Sequence, residues 1–125
     1  MVSSKLTDNA VRILNGRYLK KDEKTGEVTE TPSDMFRRVA KTISSTELHE
    51  ENKDKYENIY YEMMWDLDFV PNSPTLMNAG LGVGTLSACY VLPIEDSMDS
   101  IMTAAYDQAR ILRLLREKPV DLLMY

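Results

Sequence analysis

One cysteine, Cys89, and one histidine, His49, occur in 125 residues. A lone thiol excludes an intramolecular disulfide. It also excludes a cysteine-based zinc site within one chain, because such sites need several thiolates or a Cys/His mixture. His49 stands in a polar stretch and reads as a solvated surface residue, so no metal site is expected. Basic charge is in deficit too. The net charge of −5 argues against a general nucleic-acid partner, which calls for a basic excess. No apolar run approaches the roughly 20 residues that cross a membrane. Residues 1–8 lack the apolar centre of a signal peptide. A cytoplasmic protein is the default expectation.

What remains is an ordinary globular balance, 43% hydrophobic and 28% charged. At this length folding buries roughly two thirds of the unfolded chain's surface, so a modest core is feasible. Apolar spacing predicts four helical segments. Ala10, Val11, Leu14 and Tyr18 share one side of a helix over residues 7–18. A charged turn closed by Gly26 follows, and residues 27–29 read as a short extended piece. Thr31 is a good N-cap with Pro32 at the first helical position and Asp34 three residues on. Met35, Phe36, Val39, Ala40 and Ile43 then recur at helical spacing. Residues 44–54 are polar and contain a turn. Tyr56, Ile59, Tyr60, Met63, Met64 and Leu67 form the apolar stripe of a third helix, expected to pack in the core and to end before Pro71. The last helix starts near Asp96 or Ser97, with Asp99 helping to cap it. It carries Ile101, Ala104, Ala105, Ile111, Leu112 and Leu115, and Pro119 ends it.

One segment reads differently. From Leu86 to Ile94 the residues favour a strand, and both alternating sets are largely apolar, as in a strand covered on both faces. No second convincing strand exists to pair with it. A central strand without partners leaves backbone groups unmatched.

Three features could carry chemistry. In Ser73-Pro74-Thr75, a proline beside hydroxyl residues at a helix start can attract a phosphate, or can simply cap the helix. Gly80-Leu81-Gly82-Val83-Gly84 precedes a strand instead of following one, the reverse of a dinucleotide loop, and reads as a connector. Cys89 on the strand is either a reactive thiol or a small apolar residue.

The order of these pieces resembles the start of the catalytic barrel of ribonucleotide reductases, most closely the adenosylcobalamin-dependent class. The resemblance rests on residues 69–80, on Leu86-Ser87-Ala88-Cys89-Tyr90-Val91, and on Asp96-Ser97-Met98-Asp99-Ser100-Ile101. Upstream, residues 6–21 and 31–40 are similar as well, so it covers about residues 5–101. It implies a mainly α chain: the helical N-terminal domain of a reductase (residues 1–68), then the start of its α/β barrel with the first barrel strand (residues 69–125). It further implies that Ser73 and Thr75 hold substrate phosphates, and that Ser87 and Ala88 lie beside the substrate. Cys89 would be one of two cysteines that reduce the ribose. Asp96 and Ser97 would contact a deoxynucleoside triphosphate effector. The implied partners are the ribonucleotide, that effector, and a second reductase chain, in a homodimer or mixed dimer, through the helix at 97–116. Adenosylcobalamin is implied for the full-length family but not expected to bind this chain alone.

The sequence departs from the family where residues 110–120 lead to the last residue, Tyr125, with no second cysteine and no radical-bearing cysteine. One thiol cannot supply both roles, so the expectation is an N-terminal part of a reductase, inactive alone. The alternatives are a non-catalytic nucleotide-binding or dimerisation module, a decayed gene copy, or a small helical interaction protein.

Overall fold

The computed structural model describes residues 5–82 and 84–116. Among them are five α-helices: α1 (Asp8–Ile13), α2 (Pro32–Ser44), α3 (Glu50–Trp65), α4 (Ser73–Asn78) and α5 (Met98–Arg116).

Thr7 caps α1, its hydroxyl accepting from the Ala10 N–H. The helix then widens into a π-helical turn, Leu14–Tyr18, closed by the Leu19 N–H donating to the Leu14 carbonyl. The expected stripe survives in part: Leu14 and Tyr18 pack against the core, and Leu19 is buried. The charged turn and extended piece form a short hairpin, with one isolated bridge between Lys21 and Val28. Asp22 organises its tip by accepting from the Lys24 and Thr25 N–H groups, which holds its carboxyl below the ordinary value.

α2 begins as the sequence predicts. The Thr31 hydroxyl accepts from the Asp34 N–H, and the Asp34 carboxylate accepts from the Thr31 N–H, completing a capping box with Pro32 at N1. Its buried face is Met35, Phe36, Val39, Ala40 and Ser44. α3 lies against it. Arg37 stacks 3.8 Å from the Tyr61 ring centroid, Tyr61 stacks on Trp65, and Trp65 meets Phe36 edge-on. Such contacts add to the burial energy of the rings themselves.

α3 departs from expectation at both ends and along its stripe. It starts at Glu50, so the turn is confined to the residues just before it; Glu50 and Glu51 suit the positive end of the helix dipole. Only Met64 of the stripe is buried, while Ile59 and Met63 are 39% and 38% exposed. Met63 borders an apolar groove of about 410 Å³ between α2 and α3, which Ile43, Tyr60, Phe69 and Pro71 also line. Leu67 is not helical. It adopts φ 61° just past the helix end. There its N–H donates to Met64 and the Asp68 N–H to Met63, the Schellman arrangement.

The expected strand is not formed. Residues 86–94 follow an irregular path, and the only β pairing among the described residues is the distant Lys21–Val28 bridge. Apolar alternation alone cannot make a strand when no neighbouring backbone presents matching donors and acceptors. The regular secondary structure among the described residues is therefore all helical apart from that bridge. The segment instead brings Leu92 and Pro93 against the first turns of α5, beside Ser100, Thr103 and Ala104. On α5, Ala104 is buried whereas Ile101 and Leu112 are 44% and 51% exposed. The side chain of Leu115, and Pro119 as the helix stop, lie outside the described residues. No helix among the described residues is long and apolar enough to cross a membrane.

Two outcomes follow from these caps. Asp34 is held below its ordinary value, first by the Thr31 hydroxyl and then by the Thr31 N–H. Its stabilising effect is therefore present above the unfolded-state value and lost as pH falls through the lowered one. Urea unfolding of Asp34→Asn across the acid range should show a shallower loss of stability than the parent chain. Leu67→Gly should raise unfolding free energy by about 1 kcal/mol, because glycine carries no Cβ penalty at positive φ.

Candidate substrate-binding site

The short helix α4 is the centre of the site. Its N-cap is Asn72, one residue earlier than the Ser-Pro pair suggests. The Asn72 carboxamide oxygen accepts from the Thr75 N–H at 3.0 Å and lies 2.7 Å from the Thr75 hydroxyl oxygen. Ser73 is half-buried, with its hydroxyl 2.9 Å from the Tyr18 hydroxyl. The π-helical turn is what presents Tyr18 to this partner. Thr75 is buried, and its hydroxyl lies 2.8 Å from the Leu86 carbonyl. Asn78 reaches across from the last turn, its amide donating to the Thr85 carbonyl at 2.8 Å.

Two glycines permit this close packing. Gly80 has φ 75°, and a Cβ there would sit 2.7 Å from the Thr42 hydroxyl oxygen. Gly84 has φ 72°, and a Cβ would meet the Asn78 amide at 2.5 Å. The glycine run is thus a shaped connector at these two points; Val83 lies outside the described residues.

The far end of α4 is held by Arg38. Its guanidinium donates to the Ala79 carbonyl at 2.6 Å and to the Leu76 carbonyl at 3.2 Å. The same group pairs in fork fashion with Glu30, at 2.7 and 3.0 Å. The second Glu30 oxygen also accepts from the Lys20 N–H. Both side chains are largely buried, 14% exposed for Arg38 and 7% for Glu30. No described buried side-chain polar atom lacks a partner. This pair escaped sequence reading, since the carbonyls it holds lie about forty residues away. Asn72 was more legible, as an N-cap type three residues before Thr75.

The structure therefore brings Thr75 next to the Ser87-Ala88-Cys89 segment through Leu86. Ser87, Ala88 and Cys89 are all exposed. Asp96 and Ser97 stand apart at the head of α5. The Ser97 hydroxyl caps that helix by accepting from the Ser100 N–H, and Asp96 is exposed. His49 is exposed at the start of α3. No cluster of three or more His, Cys, Asp or Glu side chains among the described residues is arranged to hold a metal ion.

A family model described as "Ribonucleotide reductase, all-alpha domain" matches residues 4–84. The chain belongs to the ribonucleotide reductase family. Among its relatives is a vitamin B12-dependent ribonucleoside-diphosphate reductase of Thermoplasma acidophilum, 36% identical over 164 aligned residues that take in 86% of this chain and 21% of the relative. The like-named protein of Mycobacterium tuberculosis is 37% identical over 111 residues, covering 87% of this chain and 16% of its own length. A ribonucleoside-diphosphate reductase subunit alpha from Chlamydia muridarum is 29% identical over 101 residues, 81% of this chain and 9% of the relative. The chain thus spans about a fifth or less of the reductases it matches.

Loss of the Arg38 guanidinium would leave the Glu30 carboxylate buried without its partner. Arg38→Met should cost about 3 kcal/mol in urea unfolding, since breaking one side of a buried pair strands the other charge. The double variant with Glu30→Gln should recover part of that loss.

Proposed function

We propose that this chain forms the N-terminal helical part of a cytoplasmic, cobalamin-dependent ribonucleotide reductase and the first stretch of its barrel domain, the division falling at residues 68 and 69. The observation that carries this reading is the bond from the Thr75 hydroxyl to the Leu86 carbonyl. It joins the hydroxyl turn to the segment bearing Ser87, Ala88 and the only cysteine. The Ser73–Thr75 turn takes the phosphates of a ribonucleotide, with Ser73 offering the half-buried hydroxyl and Thr75 the fixed one. Ser87 and Ala88 border the sugar.

Reducing a ribose carbon to a deoxyribose carbon consumes two electrons and two protons and releases the hydroxyl as water. A pair of thiols supplies both and closes to a disulfide. Cys89 is one such thiol. Its exposure leaves the sulfur open to a partner, and the second thiol must come from elsewhere, because the chain holds one cysteine. By itself the chain does not turn over.

Asp96 and Ser97 contact a deoxynucleoside triphosphate beside α5, and the exposed apolar side chains of α5 dock on a second reductase chain. The names of the Thermoplasma and Mycobacterium relatives support adenosylcobalamin as the cofactor of the whole enzyme. The described residues do not fit that group. The groove between α2 and α3, about 410 Å³, is too small for a corrinoid and lined almost wholly by apolar side chains.

Thermal melts with each deoxynucleoside triphosphate test the effector assignment, since a ligand that binds the folded state raises the transition temperature. A rise with one or more of them, absent in Asp96→Ala, is the expected result. Melts with a ribonucleoside diphosphate, compared with Ser73→Ala, test the phosphate turn in the same way. No response to any nucleotide would leave a folded helical domain whose role lies in protein contacts.

A further inference from the structure

Residues 86–91 are exposed throughout, so packing does not place Cys89. What locates the segment is hydrogen bonding to α4: Thr75 to the Leu86 carbonyl and Asn78 to the Thr85 carbonyl. The Thr85 hydroxyl adds a local bond to the Ser87 carbonyl. α4 is too short to be rigid alone. Its own position is set at one end by the Tyr18 hydroxyl on Ser73 and at the other by Arg38 on the Leu76 and Ala79 carbonyls. Arg38 in turn is oriented by Glu30, which the Lys20 N–H ties to the chain just after Tyr18.

We infer that Arg38 is a positioning residue for Cys89: it fixes the C-terminal end of α4, and α4 fixes the segment that carries the thiol. The inference rests on the reading of Cys89 as a reducing thiol only for its meaning in catalysis. A planar guanidinium is required because one group must pair with a carboxylate and serve two carbonyls in fixed directions. A lysine could keep the charge beside Glu30 but could not span all three.

The single cysteine makes the test direct. Spin labels on Cys89 and on Lys41→Cys, an exposed position of α2, report the spread of distances between the segment and the helix bearing Arg38. The parent chain should give one narrow population. Arg38→Lys should shift and broaden it while the helical circular dichroism is retained. Glu30→Gln, which keeps volume and an acceptor but loosens the fork, should give a smaller change in the same direction. Val39→Ala, a core variant on the same helix that leaves every clamp bond intact, should lower stability without changing the distribution.

An unchanged distribution in Arg38→Lys or Glu30→Gln would overturn the inference. So would equal broadening in Val39→Ala, which would mark Arg38 as a stability residue only. Should Arg38→Lys fail to fold, the contrast between Glu30→Gln and Val39→Ala decides. Nucleotide melts that show no response would sink the nucleotide-site assignments while leaving this distance result standing.

Discussion

The Glu30–Arg38 pair is the constraint on which the rest of the described structure depends. Three pieces of chain meet there: the hairpin after the π-helical turn through the Lys20 N–H, α2 through Arg38 itself, and α4 through two carbonyls. Buried ion pairs often contribute little net stability, because desolvation offsets attraction. Here the geometry is favourable on another count. Every donor direction used ends on an oxygen, and α4's C-terminal carbonyls, which a six-residue helix could not satisfy alone, gain a charged donor.

Around that point the molecule is unevenly packed. α2 is saturated: its buried face, the capping box and the aromatic ladder to α3 each fix it from a different side. α3 gives one buried residue to the core and leaves a groove beside it. α5 is a long helix with Met98, Met102, Tyr106 and Leu112 exposed, and Leu92 and Pro93 line a cleft beside its first turns. Burial is thus concentrated around α2 and α4 and falls away toward α5.

Much of this was legible from residue types. Thr31-Pro32-Ser33-Asp34 specifies a helix start through short-range bonds alone, and the start is where the structure has it. The stripe on α2 was clear at Met35, Phe36, Val39 and Ala40, because a face buried against a neighbouring helix imposes its period on the sequence, whereas Ile43 at its end is exposed to the groove. The stripe on α3 misled, since period reports which side chains share a face and not whether that face is covered. Residues 86–94 misled for a related reason: alternation is a property of the segment, but a strand is a property of a pair. Leu67 at positive φ gave no signal, because the residue type usual there is glycine. The Arg38 clamp was invisible for lack of any local pattern, its partners being backbone carbonyls whose identity leaves no mark in sequence.

The π-helical turn after α1 gives chain length an unusual meaning. In an ordinary helix, removing one residue rotates everything beyond it by about 100°. Across Leu14–Tyr18 the wider loop already holds one residue more than an α-helical turn needs. A deletion there would let the helix close into regular geometry with its hydrogen bonds intact. The Leu19 N–H would still bond to the Leu14 carbonyl, now as an ordinary α-helical bond, so Tyr18 would stay on the Ser73 side and the Lys20 N–H on the Glu30 side. In this part of the molecule one residue can be lost without changing the register between the first helix and the turn it supports.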